Sequence, residues 1–414
     1  MEVSRLTLCA LLVATALAPH VASAEDWQRI DAAASFVDTD GVFRTPACSG
    51  SPRLEEGEVV ATDTDYAFFV RDGDPARLLL FFDGGGACWD AGTCIDAALD
   101  GDVLYYPEVD ETPAELAGFG GVFDIDRDDN PLRDHLQVYL PYCTGDLHLG
   151  ARDTSYPLPD GGDWTIYHRG HDNVIAVLEY LADYYANEVG EPPEEIVLVG
   201  ASAGGYGVLY NYPALARRFP GVERVRVLVD SSNGVISEDL FERALEADGV
   251  WGAQENLDPE IASAFDDGAG QLVPGLLNTL GWQYPDARFG QYTRAYDAVQ
   301  VLFFNVSSNL GNPERWFDPV HLLLSGLEWT TRARASMWGT AFTTWNYRFY
   351  LAQGQTHMVS FYDDFFSEDS AGGIELVDWF SDMIERRWTF GSDWRNASCV
   401  PACLPPEGLD LSTL

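Results

Sequence analysis

The chain has 414 residues, with 24 basic side chains against 66 acidic ones and a formal net charge of −42. Every basic residue is an arginine; lysine does not occur. That surface lacks the basic footprint that phosphate neutralisation needs, which excludes general nucleic-acid binding. It also repels polyanionic ligands at low ionic strength and less so as salt screens it, a balance that fits a protein working in high salt.

In chain order, the first segment reads as an export signal. A weakly basic start at residues 1–5 is followed by an apolar run at 6–18 and a small-residue cleavage site, Val21-Ala22-Ser23-Ala24. Residues 1–24 are therefore expected to be a signal peptide, too short for a membrane span, and 25–414 a single catalytic domain. No other stretch is long and apolar enough to span a bilayer, so a secreted or periplasmic protein is expected. Cys9 lies in the signal, leaving Cys48, Cys88, Cys94, Cys143, Cys399 and Cys403. An even number in an exported chain points to disulfides, whose connectivity spacing alone leaves open. No histidine sits at ligand spacing beside a cysteine pair, so no metal is expected.

Residues 25–60 read as irregular, 65–70 as a short strand, and 77–82 as a strand buried on both faces. The latter runs into Asp83-Gly84-Gly85-Gly86-Ala87-Cys88-Trp89. Residues 95–132, rich in Asp, Gly and Pro, read as a surface excursion, and 136–140 as another strand. A helical period over 171–185 leads to a β-branched run at 195–199 and then Gly200-Ala201-Ser202-Ala203-Gly204. Pro213 is expected to bend or end the next helix. A strand at 224–229 ends at Asp230, and residues 235–290 are expected to be mostly helical and to form a cap. A late strand at 349–352 ends in Gln353-Gly354-Gln355-Thr356-His357, and a last helix is expected over 374–388. Strands alternating with helices predict an α/β fold of the α/β-hydrolase type, a mainly parallel sheet covered on both faces.

Strand, Gly-x-Ser-x-Gly and helix in succession describe a nucleophile elbow presenting Ser202. A serine hydroxyl needs a general base. The order Ser, acid, His leaves His321 and His357 as bases. His321, in an apolar run, is expected at a helical core position; His357, in a glycine-rich loop after a strand, is the better base. For the acid, Asp230 and Asp297 compete almost evenly, with Asp318 a distant third. The oxyanion hole is expected from the amides of Ala203, Gly85 and Gly86. No cofactor is required.

Four segments resemble the pectin acetylesterase/Notum family: Phe82-Asp83-Gly84-Gly85-Gly86-Ala87-Cys88 with Cys94, Pro141-Tyr142-Cys143-Thr144-Gly145-Asp146, Gly200-Ala201-Ser202-Ala203-Gly204-Gly205, and Tyr296-Asp297-Ala298-Val299-Gln300. The resemblance implies a carboxylesterase with triad Ser202, Asp297 and His357. It also implies pairing of Cys88 with Cys94, Cys48 with Cys143 and Cys399 with Cys403. Two departures stand out. Gly86-Ala87 occupy the place where the family commonly has an aromatic residue after the paired glycines, and the surroundings of His357 match only loosely. The expected partner is an ester, an acetylated glycan or a small acyl ester, met by a monomer. An extracellular polyester depolymerase with an exposed aromatic surface, or a catalytically silent binding protein on the same fold, are the alternatives.

Overall fold

A computed structural model describes residues 27–101, 104–266, 268–385, 392–401 and 403. The expected signal peptide, and the far end of the helix expected over 374–388, lie outside the described residues.

The molecule is built on a nine-stranded sheet. Its strands in chain order are β1 (Trp27–Asp31), β2 (Ala67–Arg71), β3 (Asp74–Phe82), β4 (His135–Leu140), β5 (Glu195–Ala201), β6 (Arg224–Asp230), β7 (Arg288–Arg294), β8 (Tyr347–Ala352) and β9 (Ala397–Ser398). Their spatial order is β1-β2-β4-β3-β5-β6-β7-β8-β9. Pairing is antiparallel from β1 through β2 to β4 and parallel from β4 onwards. The α/β-hydrolase-type architecture expected from the alternating pattern is therefore present.

The continuous apolar runs have a direct physical cause. In a strand successive side chains point to opposite faces, so a strand covered on both sides has no position left for polar residues. Along β3, Leu78, Leu80 and Phe82 enter one core while Leu79 and Phe81 enter the other. In β5 the split repeats, with Ile196 and Leu198 on one face and Val197, Val199 and Ala201 on the other. The first core is closed by α1 (Gly170–Tyr184), α2 (Ala203–Arg218) and α3 (Leu272–Gln283), through Val174, Leu178, Leu209 and Leu276 among others. Helices α4 (Ala298–Ser308) and α5 (Pro319–Thr343) pack on each other beside it. The second core is closed by α6 (Leu376–Ile384), through Trp379, Phe380 and Met383.

Four expectations need correction. Residues 25–60 are not irregular: they supply the edge strand β1 and two short hairpins, 36–44 and 52–61. These strands are short and half-exposed, so they carry no apolar run to read. Residues 95–132 are not a surface excursion, because Tyr105, Leu116, Val122, Phe123 and Leu132 are buried and several of them fill the second core. The Asp, Gly and Pro between them form the turns that bring these anchors inward. Pro213 does not end α2, which continues to Arg218. His321 is not a core residue; it sits part-exposed in the first turn of α5, where Asp318 caps the helix and accepts from its ring at 2.7 Å.

Candidate active site

Ser202 stands between β5 and α2 with φ 53° and ψ −120°, a conformation that costs a non-glycine residue energy. The neighbouring glycines make the strained turn possible. A Cβ on Gly200 would lie 2.4 Å from the Gly204 carbonyl oxygen, one on Gly204 2.1 Å from that of Phe82, and one on Gly205 2.2 Å from Ser232 Oγ. The turn is tied to the next strand: Ser202 N–H donates to the Asp230 carbonyl at 2.8 Å, and Ser232 Oγ donates to the Ser202 carbonyl.

His357 lies on the loop after β8 and is buried. Its Nδ1 is 2.8 Å and 2.9 Å from the two carboxylate oxygens of Asp297. A ring nitrogen between two carboxylate oxygens carries the proton, which leaves the Nε2 lone pair as the acceptor. Nε2 is buried and has no hydrogen-bond partner among the described residues, and His357 lines the same cavity as Ser202. Asp297 is fully buried at the N-cap of α4. Its carboxylate also accepts from Gln300 N at 3.0 Å and Gln300 Nε2 at 2.9 Å. Gln300 in turn accepts from Asn233 N at 2.8 Å, fastening the acid to the loop after β6. Gln300 closes the Tyr296–Gln300 motif, yet the motif by itself assigns it no task. The Asp-x-x-Gln spacing is the signal that could have found it, since it places a glutamine at the third helical position, from where it reaches back to the cap.

Asp230 is equally buried, yet it does not reach the imidazole by a hydrogen bond. Its Oδ2 accepts from Val359 N and Ser360 N, both at 2.9 Å, and from Ser360 Oγ at 2.7 Å. It therefore holds the loop that carries His357. Burial pushes this carboxyl above its ordinary value, while these hydrogen bonds oppose the shift. Ser231 adds a further tie, accepting from Met358 N at 3.0 Å. Asp318 is occupied at the start of α5 and does not line the cavity.

The glycine-rich segment lies directly against the nucleophile. A Cβ on Gly84 would stand 2.6 Å from Ser202 Cβ, and one on Gly86, at φ 79°, would stand 1.9 Å from the Leu104 carbonyl oxygen. Gly86 and Ala203 both line the cavity. Ala203 opens α2, where an amide has no acceptor within the helix. Gly85 sits behind them, close to Tyr142 and Tyr106, and its carbonyl accepts from Tyr106 N at 3.0 Å.

The cavity measures about 60 Å³. Its walls are largely apolar, from Trp89, Leu147, Tyr206, Val235, Leu240 and Phe303. Ala87 is buried and lines the cavity, and Trp89 supplies a ring two positions later. Val235, Ile236 and Leu240, from the segment expected to form a cap, line this cavity; that segment is largely turns and short helical pieces before α3.

Disulfides join Cys48 to Cys143, Cys88 to Cys94 and Cys399 to Cys403, the pairing implied by the family resemblance. The first fastens the N-terminal segment to the loop after β4, and the second closes the turn just beyond the glycine-rich segment. Cys88, Cys94 and His168 cluster within 4.8 Å, but both sulfurs are spent in a disulfide, so the group offers no thiolate to a metal.

The pectinacetylesterase family matches residues 65–240. The palmitoleoyl-protein carboxylesterase Notum of Schmidtea mediterranea is 28% identical over 166 residues, covering 40% of this chain and 28% of its own length. The protein of the same description from Drosophila melanogaster is 24% identical over 162 residues, 38% of this chain and 23% of its own length. The matched region thus spans under a third of these curated relatives. The crystal structure of Drosophila Notum, titled a Wnt deacylase, superposes with a TM-score of 0.55 at 18% identity, covering 86% of this chain and 93% of that one, which establishes a shared fold. With this match, the strand order and the serine turn taken together, residues 65–240 form a region of the pectinacetylesterase family, to which Notum also belongs, on a fold shared with Notum.

Proposed function

We propose that the protein is an exported serine carboxylesterase that removes short acyl groups, acetyl foremost, from an ester carrier. One observation carries this reading: a buried His357 clasped at Nδ1 by Asp297, with an unpartnered Nε2, lines one cavity with Ser202. In the reaction, His357 Nε2 takes the Ser202 proton as Oγ attacks the ester carbonyl. Asp297 stabilises the imidazolium without itself being protonated. Amides of Ala203 and Gly86, with Gly85 behind them, hold the tetrahedral oxyanion. The imidazolium then protonates the departing alkoxide, and water, deprotonated by the same imidazole, releases the acid from the acyl-enzyme.

Cavity size supports the acyl preference. A water needs about 10–15 Å³ of such space, so about 60 Å³ holds only a few heavy atoms. That space favours acetyl to butyryl over a fatty acyl chain. Three disulfides support export, since such bonds persist in oxidising compartments. Sheet strands contributed from residue 27 to residue 398 support one catalytic domain.

One observation favours a second reading, a polyester depolymerase with the same triad. Trp282, Trp338, Phe342 and Trp345 are all exposed, Phe342 at 84%, and the Trp338 and Phe342 rings lie 6.4 Å apart. A single panel separates the readings: 4-nitrophenyl esters of increasing acyl length, acetylated xylan, acetylated pectin and a polyester film, each in dilute and molar salt. The expected result is a maximum in kcat/KM at acetyl to butyryl, abolished by Ser202→Ala, with acetylated pectin gaining most from salt. A maximum at sixteen carbons would overturn the short-acyl assignment, and activity surviving in Ser202→Ala would overturn the mechanism.

A further inference from the structure

Directly before the glycine-rich segment stands Asp83, and all of its polar groups are engaged. Its N–H donates to the Leu140 carbonyl at 3.0 Å, and its own carbonyl accepts from His148 Nε2 at 2.9 Å. Oδ1 accepts from Gly84 N at 2.7 Å, and Oδ2 accepts from Tyr139 Oη at 2.6 Å. The same phenol oxygen lies 3.2 Å from Glu111 Oε1, and Glu111 Oε2 is buried with no hydrogen-bond partner among the described residues. These bonds leave the protons one short. A phenol has one proton to donate, and two ionised carboxylates would both need it. Asp83 receives two hydrogen bonds and so is built to carry the charge. Glu111 receives its own backbone amide and leaves Oε2 without a partner among the described residues, so the missing proton is assigned to its carboxyl, which then donates to the phenol oxygen.

We propose that Glu111 is held as a neutral carboxylic acid that donates to Tyr139, which donates to Asp83, and that this proton relay positions the oxyanion segment through Gly84 N–H. Glu111, Tyr139 and Asp83 are thus positioning residues for the reaction proposed above, on which the catalytic part of this inference rests. The surroundings agree. Asp110, Glu115, Tyr66, Tyr106 and Tyr362 face the pair, and His148 is kept neutral by burial, pushed down to about 4. Burial first and acidic neighbours second raise both carboxyls, Asp83 well above its ordinary value and Glu111 to about 7; at Asp83 the hydrogen bonds from Tyr139 and Gly84 oppose the shift and favour its charged form. Once Glu111 ionises and gives its proton to solvent, two like charges compete for one phenol proton. Asp83 then loses its fixed place, and the glycine-rich segment loses its tether.

Two readouts test this, one independent of catalysis. Infrared spectra should show a protonated-carboxyl C=O band on the acid side of neutral pH that disappears in Glu111→Gln and, in the wild type, fades as pH rises through about 7. The kcat/KM of the wild type should fall roughly tenfold over the same rise, as a displaced oxyanion donor implies. Glu111→Gln, whose amide still donates to the phenol, should lose that alkaline fall. Tyr139→Phe should be about tenfold slower at every pH, because the relay is cut. A band that survives Glu111→Gln and vanishes in Asp83→Asn would overturn the assignment, as would identical pH profiles for the wild type and Glu111→Gln. A protein that shows the band and hydrolyses no ester would keep the relay and sink the esterase reading.

Discussion

Asp230 and Asp297 make an instructive pair. Each is fully buried at the carboxyl end of the sheet, Asp230 closing β6 and Asp297 standing just beyond β7. Each also serves His357, yet by different means. Asp297 touches the imidazole, and its remaining hydrogen bonds come from Gln300, which fixes its orientation. Asp230 instead grips the chain just beyond His357, through the amides of Val359 and Ser360 and the Ser360 hydroxyl. The same side chain at the same depth is thus an electrostatic partner in one place and a loop anchor in the other. The set of donors decides the role; burial does not.

The contrast can be broken by experiment, beginning with the largest effect. Asp297→Asn should lower kcat by about 10⁴, because an asparagine amide favours the wrong imidazole tautomer while leaving the shape intact. A loss under tenfold, measured by stopped-flow on 4-nitrophenyl acetate, would remove Asp297 from the triad. Asp230→Asn should cost tenfold or less in kcat/KM. Its amide keeps one acceptor for the loop, and removing a charge from a buried site offsets part of the lost hydrogen bonding. Its main effect should be a stability loss of about 1–3 kcal/mol in denaturant unfolding, the worth of hydrogen bonds to a charged group. Equal kinetic damage from the two substitutions would erase the distinction between acid and anchor.

The smallest kinetic effect should come from opening the Cys48–Cys143 bond, which joins residues 95 positions apart. Replacing both cysteines with serine should leave kcat within about twofold, because neither sulfur lies in the cavity. It should still destabilise the fold by about 4–5 kcal/mol in the chain-entropy account of a loop that long. A large fall in kcat without a fall in melting temperature would mean that this bond shapes the site.

Several features were legible in the sequence because they are local. A β-branched run leading into Gly-x-Ser-x-Gly can make only a few turns, and the glycine collisions around Ser202 show why no other residue fits there. The parallel strands were legible because burial on both faces removes polar positions. The edge strand at Trp27–Asp31 was not: only its first residue is fully buried, so it leaves no apolar signature. Residues 104–132 misled for a related reason, since scattered anchors such as Leu116 and Phe123 are too few to outweigh the polar turns between them.

By itself the sequence determined the chemistry on offer: a serine at a strained turn, a histidine in a late glycine-rich loop, a glycine-rich segment after an early strand, and two aspartates fit to be the acid. Spacing left those aspartates tied, and resemblance favoured Asp297. Tertiary structure alone decided which carboxylate meets the imidazole, because strand ends that are neighbours in the sheet lie far apart in the chain and local propensity carries no record of that distance. It also decided that Asp83, Tyr139 and Glu111 share one hydrogen-bonded line. A proton count of that kind exists only once three separate segments have been packed together.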